Sequence, residues 1–168
     1  MSWLVHKISR AKWEPTIGPN KISADAVTGD LRTKNNELSL WKIASLERAE
    51  LEKVGTALAA SLQRERFDPI DVTWIAIKEL RRRKIRLQDS PGLTAAVAYK
   101  NLHVDAKELD LSALRAIAKV MARDIRQNDH FKRFTRAEVK QLLESGLAEG
   151  AVDRDLLNPK LRAELGFS

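Results

Sequence analysis

Cysteine is absent from this chain of 168 residues. That excludes a disulfide scaffold, a thiol nucleophile and every zinc site with a thiolate ligand, and it suits a reducing compartment. No apolar run approaches the roughly 18 residues of a membrane span. The opening segment Met1–Lys7 also lacks the long apolar stretch of a secretory signal. The expectation is a cytoplasmic, unprocessed protein with no membrane partner. Proline and glycine are few, at five and seven, and nowhere gather into a flexible linker. Internal repeats and low-complexity tracts are lacking too.

Signature motifs are equally scarce. The phosphate-cradling patterns GxGxxG and GxxxxGK do not occur, Gly146 and Gly150 being an isolated pair, and neither HExxH nor GxSxG appears. No cofactor is expected. The three histidines are His6, His103 and His130. His103-Val104-Asp105 would put two donors on one face of a strand, but no second histidine stands nearby, so no metal is expected. Glu138-Val139-Lys140 has the E-x-K spacing of metal-dependent nucleases. It falls inside a helix pattern rather than on a strand beside an aspartate, which argues against that chemistry.

What the chain has is an ordinary core-forming content and a positive charge. Hydrophobic residues make up 43% and charged residues 32%, enough for a core without staples at this length. The net charge is +7, and it is concentrated. Residues 78–86 hold six bases and one acid; residues 115–140 hold eight bases and three acids. Each segment carries +5, so the remaining residues sum to −3. Such fields favour nucleic acid, phosphate ligands, an anionic membrane surface or an acidic protein, and do not choose among them.

Periodicity predicts the elements. Trp3–Ile8 and Glu37–Ile43 read as strands, and Asp71–Ile77, apolar at nearly every position, reads as a strand buried on both faces. Thr94–Tyr99 is expected as a further strand. Residues 79–87 read either as a short helix before a strand or as an edge strand throughout. Ser23 would cap a short helix through Leu31, and Lys34-Asn35-Asn36 a turn. Ser45 would cap a helix over Leu46–Gln63, with Leu51, Val54, Leu58 and Leu62 on one stripe. Leu111, Leu114, Ile117, Ala118, Met121 and Ile125 mark a helix to Gln127. Thr135-Arg136-Ala137-Glu138 is a capping box, and Asn158-Pro159 starts a last helix ended by Gly166. The fold expected is α+β: a small mixed or antiparallel sheet with packed helices in residues 1–130, then a helical region, 131–168, packed on the same domain.

Three surfaces carry functional expectations. Arg81, Arg82, Arg83 and Arg86, with Arg123, Arg126 and Arg133, would meet phosphates or another anionic partner, or stand as solvated charge. A helix–turn–helix with the Thr135 helix as recognition element is a further reading, although the link 128–134 is long for it. Trp13, beside the loop Glu14–Asn20, would anchor a protein interface or else pin that loop to the body. Arg123 and His130 stand in an R-x6-H spacing that some RNA-cleaving helical domains use, and are the weak catalytic candidates. The function expected is a non-enzymatic domain that binds a protein partner, as one subunit of a larger assembly. The alternative is sequence-independent nucleic-acid binding, or service as a nuclease accessory, through the two basic segments.

Overall fold

The most apolar run of the sequence becomes the centre of the molecule. In the structure, a computed structural model describing residues 2–14 and 21–167, Ile70–Ala76 forms a strand with every residue buried. It is β3 of six: β1 (Trp3–Ile8), β2 (Leu38–Ile43), β3, β4 (Arg86–Asp89), β5 (His103–Lys107) and β6 (Phe131–Phe134). They lie in the order β4-β5-β2-β1-β3-β6, and every neighbouring pair is antiparallel. Six helices accompany them: α1 (Arg10–Trp13), α2 (Arg48–Ala59), α3 (Ile77–Arg82), α4 (Leu111–Gln127), α5 (Arg136–Ala148) and α6 (Pro159–Glu164). The class is α+β, as expected.

Because successive side chains on a strand point to opposite faces, the sheet builds two cores. Leu4, Leu40, Ile75 and Val104 face one side, where they pack with Ile77 and Leu80 of α3 and with Ile117 and Met121 of α4. Val5, Trp41, Val72 and Trp74 face the other, against Val54 of α2, Val139 and Leu143 of α5, and Leu161 of α6. His6 is buried within the sheet. Burial holds its imidazole below the ordinary pKa, against the pull of the Asp30 and Ser39 carbonyls beside its two nitrogens.

Local signals placed most elements well. Asn35 and Asn36 both take positive φ, at 55° and 59°, inside the Lys34–Glu37 bridge, the backbone of a tight primed turn. The Thr135 capping box forms with both of its hydrogen bonds, and Asn158 caps α6 ahead of Pro159. The helix expected after Ser23 ends as a π-helical turn, Ala26–Asp30.

Other expectations give way to tertiary contacts. Thr94–Tyr99 is not a strand: Thr94 makes one isolated bridge to Ser61 and donates its hydroxyl to the Ala57 carbonyl at 2.7 Å. The small residues Ala95 and Ala96 fit beneath α2 as a buried loop. α2 starts at Arg48 rather than Leu46 and ends at Ala59, since the chain must turn at Ala60 to meet that loop through the Ala95 amide. Leu62 and Leu111 consequently leave their stripes and are 39% and 81% exposed. The link 128–134 contains β6, which pairs with β3. With α4 on one face of the sheet and α5 on the other, no helix–turn–helix exists. Residues 131–168 thus supply an edge strand and two helices to the body of the domain.

Candidate anionic-partner interface

α3 is short and ends where the basic run peaks. Ile77 and Leu80 are buried, which leaves Lys78, Arg81 and Arg82 facing water. The helix closes with the amide of Ile85 on the Leu80 carbonyl at 3.1 Å and that of Lys84 on Arg81 at 2.9 Å. That is the Schellman pattern, and it places Lys84 at φ 57°, a left-handed position glycine normally fills. Ile85 then turns inward and Arg86 opens the edge strand β4.

α4 begins at Asp110, whose carboxylate accepts from the Ala113 amide at 2.7 Å. Its apolar stripe packs into the same core as Ile77 and Leu80, so α3 and α4 lie on one side of the sheet. Glu79 feels Arg82 and Arg83 of its own helix and also Arg123 of α4; hydrogen bonding to Arg83, ahead of these charges, holds its carboxyl below the ordinary pKa. At the other end, Arg83, Lys84 and Arg86 share a cavity wall with Ser112 and Ala116. Residues 78–86 and Leu111–Gln127 together hold ten bases and two acids. The fold therefore merges the basic run with half of the second basic segment.

Not all of this charge is available. Arg82 and Arg83 pair with Glu79 at 2.9 and 2.8 Å, Arg86 with Glu108 at 2.7 Å, and Arg123 with the buried Asp124 at 2.7 Å. Lys78, Arg81, Lys84, Arg115 and Lys119 are exposed and make no ion pair among the described residues. The rest of the second segment lies elsewhere: Lys132 pairs with Glu138 and Lys140 with Glu144, on and beside α5 across the sheet.

The remaining sequence candidates are tied into the body. Arg133 forks onto Asp71 at 2.7 and 2.8 Å. Arg126 donates to the carbonyls of Trp13 and Lys21, on either side of residues 15–20. Those six residues, most of the loop Glu14–Asn20, lie outside the described residues. Trp13 is not an interface anchor: it is 1% exposed, and its indole donates to Asp30 at 2.8 Å. Asp30, on the π-helical turn, also receives the Ser9 amide and the Lys12 ammonium, which draws the tryptophan inward. Arg123 and His130 do converge, both on Asp124, with His130 Nδ1 at 3.6 Å. The imidazole is stacked on Trp74 and edge-on to Trp3, however, and its backbone is clasped by Thr73. That geometry fixes the residue that leads into β6 and makes Asp124 the common partner of the two side chains. His103 and Asp105 share one face of β5, as their spacing implied, but no group of three metal-ligating side chains occurs among the described residues.

Compared with known protein families, curated proteins and solved structures, the chain matches none. No helix among the described residues is long and apolar enough to cross a membrane.

Proposed function

We propose that this chain is a non-enzymatic, cytoplasmic binding domain whose partner is the phosphate backbone of nucleic acid, held without regard to sequence on the exposed face of α3 and α4. One observation carries the reading: five exposed cations with no ion pair among the described residues, Lys78 and Arg81 on α3, Lys84 just past its end, and Arg115 and Lys119 on α4, belong to elements that share one side of the sheet. Each cation that neutralises a phosphate releases condensed counterions. The face has no exposed aromatic on which bases would stack, so the contact is with backbone, and the duplex is the better ligand. Arg82, Arg83, Arg86 and Arg123 have acidic partners to exchange for phosphates and serve as a second tier. With Trp13 buried, the reading as a protein-binding subunit loses one of its two candidate contacts.

The test is binding to mixed-sequence duplex and single-stranded DNA and RNA across salt. For about five phosphate contacts, affinity falls by roughly 10²–10³-fold between about 50 and 200 mM salt. Replacing Arg81 and Lys119 by glutamate should flatten that dependence, while Lys140→Glu, across the sheet, should not. Absence of binding at the lower salt, or binding insensitive to salt, overturns the proposal.

A further inference from the structure

We infer that the cavity holding Ser90, His103 and Asp105 is a binding site for a small organic cation: an ammonium group carried on an apolar body. The pairing of β4 with β5 brings these residues together, with Gln88 opposite Asp105 and the Ser90 amide donating to the His103 carbonyl at 3.2 Å. They line a cavity of about 540 Å³ together with Ser39, Trp41, Leu62 and Leu93. By strand alternation it opens on the side of the sheet opposite α3 and α4, so it stands or falls independently of the polyanion face.

The combination suggests a nucleophilic serine, but the hydrogen bonds assign it another role. His103 Nδ1 lies 3.2 Å from the Ser90 carbonyl oxygen, which only accepts, so in the neutral ring Nδ1 carries the hydrogen. The Ser90 hydroxyl, 2.9 Å from Nδ1, then accepts from it and donates its own hydrogen to Asp105 Oδ2 at 2.6 Å. Serine is thereby a strut between imidazole and carboxylate. Its lone pairs face a donor, and its proton is held by the Asp105 carboxylate rather than by the imidazole.

What remains unspent is a pair of acceptors. With Nδ1 carrying the hydrogen, Nε2 of the neutral His103 ring is left as an acceptor, and among the described residues Asp105 Oδ1 has only the Ser39 hydroxyl at 3.4 Å, the limit of a hydrogen bond. The two atoms are 4.0 Å apart. A single nitrogen donor about 2.9 Å from each spans that gap. Asp105 is the sole acid in the lining, and the lining has no lysine or arginine, so on a chain of net charge +7 this is a locally negative pocket. Its other wall is apolar. Leu93 is 76% exposed and Leu62 39%, and an edge of the otherwise buried Trp41 indole lines the cavity, with Gly92 packed directly on the ring, where a Cβ would lie 2.5 Å from Trp41 Cη2. Charge-assisted hydrogen bonds for the head and apolar contact for the body define the ligand class.

The probe is phenethylamine, titrated against the intact chain and read by NMR at the Trp41 indole and the amides of residues 90–93. Phenylethanol and phenylacetate, of the same shape, are its neutral and anionic controls. The amine should give saturable shifts there and bind about tenfold or more tighter than the alcohol, since it alone gains charge-assisted bonds. Asp105→Asn should reduce the amine to the level of the alcohol. His103→Phe should weaken it as well, which keeps the test decisive if one variant fails to fold. Equal binding of amine and alcohol, preference for phenylacetate, or shifts that do not saturate overturn the inference. So does hydrolysis of an activated ester that Ser90→Ala abolishes, because the serine would then be a nucleophile.

Discussion

Arg133, on the edge strand β6, grips Asp71 of the neighbouring strand β3 through two hydrogen bonds of 2.7 and 2.8 Å. Asp71 is 8% exposed and also receives the Arg10 amide. Burial alone would raise its pKa; the Arg133 hydrogen bonds, the Arg10 amide and both positive charges outweigh it and hold the carboxyl below its ordinary 3.8. Arg133→Ala leaves this carboxylate in the sheet with its main partner gone. The chain should unfold at a lower urea concentration, by less than for a fully buried pair because the guanidinium is half exposed. Arg133→Lys should recover only part of the loss, for lack of the planar fork. Urea unfolding measures both, and an unchanged midpoint for Arg133→Ala would show the pair to be idle.

Lys84 occupies a glycine position. Lys84→Gly relieves the left-handed strain seen at φ 57° and should raise stability by about 1 kcal/mol. If the α3–α4 face binds phosphates, the same change should weaken duplex affinity and lower the salt slope by about one contact. A variant both more stable and weaker in binding would mark a residue kept for function. A variant destabilised by thermal melting contradicts the strain argument.

Glu138 closes the capping box. The Thr135 amide and the Lys132 ammonium lower its pKa from 4.5 to about 2, against a small opposing effect of burial. The sign follows from linkage: a carboxyl whose folded pKa is depressed adds stability above its unfolded value and loses it as pH falls through the folded one. Glu138→Gln keeps the acceptor for the Thr135 amide but removes the titration. Its loss of stability between about pH 4.5 and 2 should therefore be shallower than that of the parent chain. Parallel acid-unfolding curves would contradict this.

Gly55 lets α2 and α5 touch. A Cβ there would lie 2.8 Å from Phe134 Cζ and 3.0 Å from Leu142 Cδ1. Gly55→Ala gains helix propensity of about 1 kcal/mol, yet should lower stability by about 1–2 kcal/mol overall, because Phe134 is buried and cannot yield freely. A rise in melting temperature would show that the interface relaxes.

Local chemistry was readable wherever a single stretch of chain determined the outcome. The Thr135 capping box, the Asn35–Asn36 turn and the stripe of α4 from Leu114 to Ile125 rest on spacings of a few residues, and they formed as expected. β6 escaped notice because Phe131–Phe134 is too short to declare a period; pairing with β3 makes it a strand. Thr94–Tyr99 misled for the opposite reason. Thr94, Val97 and Tyr99 suit a strand although the alanines do not, but the Thr94 hydroxyl and the Ala95 amide find partners in α2 and at its end.

The sequence by itself determined the α+β class, the positive charge and the starts of α4, α5 and α6, since composition, periodicity and capping act within one element. Only tertiary structure decided what those elements expose. Trp13 is buried because Asp30, seventeen positions along, offers its indole a carboxylate. The basic run and α4 become one surface because both cover the same side of the sheet. Ser90, His103 and Asp105 become one cavity because antiparallel pairing sets β4 beside β5. Each depends on contacts between segments far apart in the chain, and no local spacing encodes them.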